Sequence, residues 1–168
     1  MAGILPMAIH NQKTYFLFGR ERRYPKYRDS CKWSDFGGAP DKGETIKETA
    51  IRECYEETSG LLGTLSEIRS CLENNYVTCI NTDRYKTFIM KIKYDETLPQ
   101  QFEDIYNDVY TNNPESLLKH DGKNEKDMAK WVELKDLKEF SNQARFFYKK
   151  IIYDIILYFK YFKSNHKL

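Results

Sequence analysis

The sequence predicts an α/β (α+β) domain in which one mixed β-sheet is flanked by helices. Three observations carry that reading. Residues 3–10 and 13–19 have strand-like composition and face each other across His10-Asn11-Gln12, which reads as a hairpin that begins a sheet. A helical pattern follows, with Ile46, Ala50 and Cys54 recurring at i+4 and Ile51 beside them, a narrow apolar stripe for docking on a sheet. Strand-like and helical stretches then succeed one another to the end of the chain. No repeat or low-complexity linker interrupts them, and 168 residues suit a single domain over 1–168 that can bury a real core.

After the hairpin, residues 20–35 (RERRYPKYRDSCKWSD) read as a polar loop. Gly37-Gly38 then permits a tight turn with positive φ and close backbone approach to a metal or phosphate. Thr45 followed three residues later by Glu48 is a capping-box pattern and sets the helix start near Thr45. On that helix Glu53, Glu56 and Glu57 stand at i, i+3 and i+4 and project from one face. Like charges at this spacing each cost roughly 0.2–0.5 kcal/mol in an isolated helix, a repulsion that a cation among them removes. Oxygen-only donors suit a hard ion, Mg²⁺ or Mn²⁺, which also binds substrate phosphates. Glu48–Arg52 and Arg52–Glu56 are i, i+4 pairs, so Arg52 is expected to hold the carboxylates in place.

These residues resemble the Nudix hydrolases, whose signature is G-x5-E-x7-R-E-U-x-E-E-x-G-U with U bulky and apolar; Gly38, Glu44, Arg52, Glu53, Glu56 and Glu57 fit it without a gap. At average residue frequencies, six such fixed matches arise by chance about once in 10⁵ chains of this size. The departures lie at the end. Cys54 is a modest stand-in for the bulky residue, and Ser59 occupies the last Gly position, with Gly60 and Leu61 one residue late. That looks like a turn lengthened by one residue, with Gly60 as the left-handed cap, and it puts the following loop in doubt rather than the chemistry. The resemblance implies a Nudix-like α/β/α sandwich and hydrolysis of a phosphoanhydride. It implies Mg²⁺ (or Mn²⁺) held by Gly38 through its carbonyl, Glu53, Glu56 and Glu57. Arg52 and Glu44 would be structural support.

Beyond the helix, Leu65–Tyr76 and Arg84–Tyr94 read as strands, and residues 95–122 as irregular chain with a short helix around Phe102–Tyr110. Ala129–Leu134 is expected as a strand and Leu134-Lys135-Asp136-Leu137 as the start of a helix. This stretch also resembles the family, in which a Glu precedes an aromatic strand and serves as an extra metal ligand or base. Here that residue is Glu125, six residues before Trp131, with Asp127, Glu103 and Asp104 as competitors. The general base is thus Glu57, Glu56 or Glu125. Asn142–Lys163 has helical period, with Phe146, Ile151, Ile155, Ile156, Phe159 and Phe162 as a core-facing stripe and lysines outside. Such a helix packs against the domain or, as a basic aromatic surface, meets RNA or a membrane.

Composition narrows the classes. Charged residues at 31% and apolar residues at 40% indicate a soluble globular protein, and a net charge of +2 does not by itself imply nucleic-acid binding. The start MAGILPMAIHNQK has Pro inside a short apolar stretch and no positive region ahead of it, so no secretory signal is expected. Apolar runs are all interrupted by charge, which argues against membrane spans. Cys31, Cys54, Cys71 and Cys79 lack C-x2-C spacing and read as free thiols in a reducing, cytoplasmic setting. His10, His120 and His166 form no recognisable motif.

Specificity is expected in the loop 20–33, where Arg20, Arg22, Arg23, Lys26, Arg28 and Lys32 are interleaved with Tyr24, Tyr27 and Trp33. Arg and Lys suit a charged phosphate chain and the aromatics suit a base, though the same loop also reads as solvated surface. The expected substrate is a nucleoside diphosphate derivative or other polyphosphate: capped RNA (mRNA decapping), a dinucleoside polyphosphate or an inositol pyrophosphate. The alternative is a catalytically silent Nudix-like module that binds nucleotide or RNA. The oligomeric state is left open.

Overall fold

The structure, a computed structural model, describes residues 1–118 and 124–162. Its sheet has seven strands: β1 (Ala2–His10), β2 (Lys13–Glu21), β3 (Trp33–Ser34), β4 (Phe36–Gly38), β5 (Tyr76–Asn81), β6 (Lys86–Lys91) and β7 (Lys126–Glu133). Among the described residues five α-helices accompany them: α1 (Ile46–Glu57), α2 (Leu65–Asn74), α3 (Leu98–Asn112), α4 (Leu137–Phe140) and α5 (Tyr148–Leu157). The expected hairpin forms. Asn11 and Gln12 both take positive φ (48° and 62°), the two-residue geometry that matches strand twist.

Strand order is β3-β2-β1-β6-β5, with β4 on β1 and β7 on β2. β1 runs parallel to β6, from Ala2↔Lys86 to Met7↔Lys91, and the remaining pairings are antiparallel, so the sheet is mixed as expected. The two hairpin strands pair only from Met7↔Phe16 to the turn. Beyond that point they part: the start of β1 takes β4 (Ala2↔Gly38 to Ile4↔Phe36), and the end of β2 takes β3 (Gly19↔Ser34). This split brings the Gly37-Gly38 backbone to the end of β1 against which α1 packs.

Apolar cores lie on both faces, which makes the domain an α/β/α sandwich. On one, Leu5, Phe16, Phe18 and Ile89 meet Tyr148, Ile151 and Ile155 of α5. On the other, Ile4, Leu17 and Phe36 meet Ala50, Ile51 and Cys54 of α1, Ile68 and Leu72 of α2 and Phe102 of α3. Ala2 to Ala8 of β1 are all buried, as a strand covered on both faces requires. No helix among the described residues is long and apolar enough to cross a membrane.

Several expected elements differ. Leu65–Tyr76 is not a strand: Leu65–Asn74 is α2, opened by a capping box between Thr64 and Glu67, and β5 begins only at Tyr76. The helix near Phe102 runs from Leu98 to Asn112. β7 starts at Lys126, three residues before the expected Ala129. The Leu134–Leu137 helix start is a 3₁₀ turn over Leu134–Asp136 that leads into α4. The long C-terminal helix is broken into a 3₁₀ turn (Ser141–Gln143), α5 and a π turn (Tyr158–Phe162). As a result Phe146 is 72% exposed, outside the stripe, while Ile152, at i+4 from Tyr148, joins the core. The Phe162 side chain, Lys163, His120 and His166 lie outside the described residues.

Candidate active site

Helix α1 builds the centre of the site. Thr45 and Glu48 form the expected reciprocal capping box, which uses Glu48 at the helix start, so the expected Glu48–Arg52 pair does not form. Arg52 turns instead to other acceptors. Its Nε and Nη2 donate to the two oxygens of Glu44 (2.7 and 3.0 Å), Nη1 to Glu53 (3.1 Å) and Glu56 (2.9 Å), and Nη2 also to the Ala39 carbonyl (2.9 Å). A guanidinium has five N–H donors, and these bonds account for all five. Arg52 is therefore an internal clamp with no donor left over. Its fork holds the Glu44 carboxyl down to about 2, and Glu44 in turn accepts from the Asp41 backbone and the Thr49 hydroxyl, which ties the Gly38–Thr45 loop to the helix.

Glu53 and Glu57 point inward. Burial pushes Glu53 up to about 7 against the pull of Arg52, with Glu56 and Glu125 adding to the rise. The Gly38 backbone lies against it: a Cβ there would come within 2.6 Å of the Glu53 Cδ, so only glycine leaves that carboxylate its place. Glu57 is 2% exposed and accepts from the Gly37 backbone N–H at 2.7 Å. Burial raises its pKa well above the carboxylate range; Lys126 opposes the rise, and Glu21, Glu53 and Glu125 reinforce it. The turn after α1 differs in detail from expectation, because Ser59 (φ 51°) as well as Gly60 (φ 74°) is left-handed.

Lys126, at the start of β7, is the residue that sequence reasoning missed. Its ammonium is fully buried, pairs with Glu21, lies 3.5 Å from Glu57 and donates to the Ser34 hydroxyl at 3.0 Å. Burial pulls its pKa down, but Glu21 and Glu57 outweigh that and hold it above the usual lysine value. Arg145 continues the chain of charge: it donates to Glu21 (3.0 Å), Asp29 (3.0 Å) and the Tyr27 hydroxyl (3.1 Å), pinning the loop after β2. The period of β7 gave no warning, since Lys126 falls in what reads as a loop.

The expected binding loop separates into distinct roles. Arg20 forms a bidentate pair with Asp127 (2.8 and 3.0 Å), and Trp33 is buried against Phe140, so neither offers a free group. Arg23, Lys26 and Arg28 are exposed, Arg28 over the Phe146 ring. Arg22 lines a cavity of about 340 Å³ with Glu21, Tyr24, Tyr27 and Glu125. Glu125, on the same cavity wall, adds to the upward pull on Glu53 and Glu57, whereas Asp127 is held by Arg20 and Asp104 accepts from Gln100 on an exposed helix face.

The donor set fits a hard divalent cation. Its members are all oxygens, the carboxylates raise one another's pKa, a repulsion that a cation would relieve, and glycine keeps the backbone close at Glu53. Among the described residues no three acidic, His or Cys side chains are already gathered as a finished metal site. Arg52 and Lys126 take up carboxylate oxygens that a cation would share.

The three-layer sandwich is the architecture of known hydrolase structures. The chain aligns over 93% of its length with 95% of an Ap4A hydrolase from C. elegans (TM-score 0.52, 18% identity). It aligns over 92% with 81% of RenU, a Nudix hydrolase from M. smegmatis (TM-score 0.55, 15% identity). A bifunctional NMN adenylyltransferase/ADP ribose pyrophosphatase from Francisella tularensis, solved with AMP and a Mn ion, aligns with 93% of this chain over 40% of its own (TM-score 0.53, 15% identity). At these identities the likeness is one of fold. The sequence itself matches the NUDIX domain over residues 3–154, and the chain belongs to that family. An uncharacterized protein of Acanthamoeba polyphaga mimivirus is 41% identical over 68 residues, which are 40% of this chain and 22% of that protein.

Proposed function

We propose that the chain is a Mg²⁺- or Mn²⁺-dependent pyrophosphohydrolase that cleaves a phosphoanhydride in a nucleoside diphosphate-linked substrate. The observation that carries the reading is the clamp on α1: Arg52 fixes Glu53 and Glu56 while Gly37 and Lys126 fix Glu57, so three carboxylates are preorganised on one face. Glu53, Glu56, Glu57 and the Gly38 carbonyl would hold the cation. When bound, it neutralises phosphate oxygens and acidifies water. Glu57, the most buried and fixed by the Gly37 N–H and Lys126, suits a cation ligand. Glu125, on the cavity wall, suits proton abstraction from water near the scissile bond. Arg52, with every donor used, orients carboxylates and leaves phosphate binding to other residues.

Two structural relatives, an Ap4A hydrolase and a bifunctional NMN adenylyltransferase/ADP ribose pyrophosphatase complexed with AMP and a Mn ion, support nucleotide-linked substrates. Capped RNA belongs to the same class, and the exposed Arg23, Lys26 and Arg28 would meet its phosphates. The test is product release from capped RNA, dinucleoside polyphosphates, nucleoside diphosphate sugars, nucleoside triphosphates and an inositol pyrophosphate, with Mg²⁺, Mn²⁺ or chelator. Glu56→Gln is the control because its amide oxygen still accepts from Arg52. Turnover that needs the cation and falls by about 10²-fold or more in the variant supports the enzyme. A folded protein that turns over none of these but binds nucleotide is the silent module.

A further inference from the structure

β4 reaches the site with two glycines, so no side chain of its own sets how far Gly37 and Gly38 stand from α1. In front, the Gly37 N–H donates to Glu57 at 2.7 Å and the Gly38 backbone lies against Glu53. Behind, in the core on the other face of the sheet, stands the Tyr85 hydroxyl. A Cβ on Gly37 would collide with that hydroxyl, and a Cβ on its strand partner Gly3 would come within 2.6 Å of it, so the oxygen is seated against both backbones. The hydroxyl donates to Asp35 at 2.8 Å, and Asp35 lies two residues before Gly37, on the same side of the extended chain.

Such a group is costly where it lies. Asp35, Tyr85 and Thr87 are all buried among apolar side chains, and Thr87 donates to the second Asp35 oxygen at 2.8 Å. Apolar residues of the same shape would serve stability about as well, but they would not tie the start of β6 to the start of β4 at a fixed distance. The Tyr85 ring is itself held from the layer of α5, by Phe147 (ring centroids 5.1 Å apart) and Tyr148 (6.2 Å). We propose that Tyr85, anchored by Asp35, is a positioning residue: its hydroxyl backs the Gly37 strand and so sets the place of Glu57 and of the carboxylate face from the far side of the sheet. The inference rests on the reading of that face as a cation site, and it makes the α5 layer part of the site's construction.

The test compares two variants that each take one hydroxyl from Asp35. Tyr85→Phe removes the oxygen that touches Gly37, and Thr87→Val removes the donor on the other carboxylate oxygen. The Gly37 amide proton is followed by NMR in the metal-free protein, Mn²⁺ affinity by electron paramagnetic resonance, and stability by urea unfolding. Both variants are expected to lower the urea midpoint alike, since each leaves a buried carboxylate one donor short. Only Tyr85→Phe is expected to move the Gly37 amide upfield as its bond to Glu57 lengthens, to weaken Mn²⁺ binding by about 10-fold and to lower kcat with KM unchanged. A Gly37 resonance, or a measurable Mn²⁺ affinity, that Tyr85→Phe leaves at the native value overturns the assignment, as do equal changes in both variants. Should Tyr85→Phe not fold, the native protein decides: a nuclear Overhauser contact between the Tyr85 ring and the Gly37 α-protons is expected, and its absence overturns the assignment. A Gly37 amide that moves in Tyr85→Phe alone, in a protein that neither binds Mn²⁺ nor turns over any substrate, would leave the positioning standing and remove the hydrolase reading. Native turnover with an unmoved Gly37 amide would do the reverse.

Discussion

Replacing Lys126 with Met removes the ammonium that Glu21 and Glu57 share while keeping the aliphatic stem that packs under Gly19. Both carboxylates are buried, at 6% and 2% exposure, so solvent cannot take over from the lost cation. Breaking a buried pair by removing one partner costs about 3–5 kcal/mol. Among the described residues Glu21 keeps Arg145 at 3.0 Å, and Glu57, which burial already pushes well above the carboxylate range, keeps the Gly37 N–H and can take up a proton, which favours the low end, about 3 kcal/mol. For a chain of this length each kcal/mol moves the melting temperature by about 2–4 °C, so a fall of about 6–12 °C is expected in thermal unfolding, with a matching shift in urea midpoint. Adding Glu21→Gln to the variant should restore part of the loss, since one of the orphaned charges is then gone. A Lys126→Met protein that melts within about 2 °C of the native one would refute the claim that this ammonium holds the buried carboxylates together.

Arg52→Lys should cost about 1–2 kcal/mol in urea unfolding and lower turnover as well, because three ammonium donors cannot replace five in a fixed fork; an unchanged midpoint would show that the clamp is dispensable. Gly38→Ala should leave stability within about 1 kcal/mol, because the flexible Glu53 end can move aside, yet lower turnover by about 10²-fold; full activity would place the Glu53 carboxylate elsewhere. Asp35 is pushed up to about 6 by burial, against the hydroxyls of Tyr85 and Thr87, both donating at 2.8 Å. A carboxyl whose folded pKa is raised contributes stability that is complete below the unfolded pKa of about 3.9 and is lost as pH rises through the folded value. The native protein should therefore lose about 3 kcal/mol between about pH 4 and pH 6 relative to Asp35→Asn, read from urea midpoints across that range; parallel curves for the two proteins would rule this out.

What the sequence reveals about this domain follows contact distance. The clamp on α1 is legible because its members are near neighbours: Thr45 with Glu48, Glu44 with Arg52, and Arg52 with Glu53 and Glu56 lie within one turn or one short loop of each other. The misread α2 had a local signal too. Thr64 and Glu67 repeat the capping box of Thr45 and Glu48, and Ile68 and Leu72 repeat its i+4 burial, but the Val, Thr and aromatic residues that follow pull the reading toward a strand. Arg22 was visible only as one of six basic residues, and choosing it from the others as the one on the cavity wall required Asp127, 107 residues from Arg20, and Arg145, 116 residues from Asp29.

Lys126 and Asp35 carried no local signal, because a lysine in a polar stretch and an aspartate before Gly-Gly are ordinary surface residues until distant strands close around them. Their partners are far away in the chain: Glu21 and Ser34 for Lys126, Tyr85 and Thr87 for Asp35. The buried ionisable groups form one connected line, Glu57–Lys126–Glu21–Arg145–Asp29, from α1 to the loop after β2. Each link constrains the next, since a buried carboxylate tolerates little displacement from its cation. The carboxylate face of α1 and the wall of the cavity are therefore held in register by the same set of ion pairs. A substitution at Arg145 should thus act on the site without touching substrate, by freeing Tyr27 and Asp29 together.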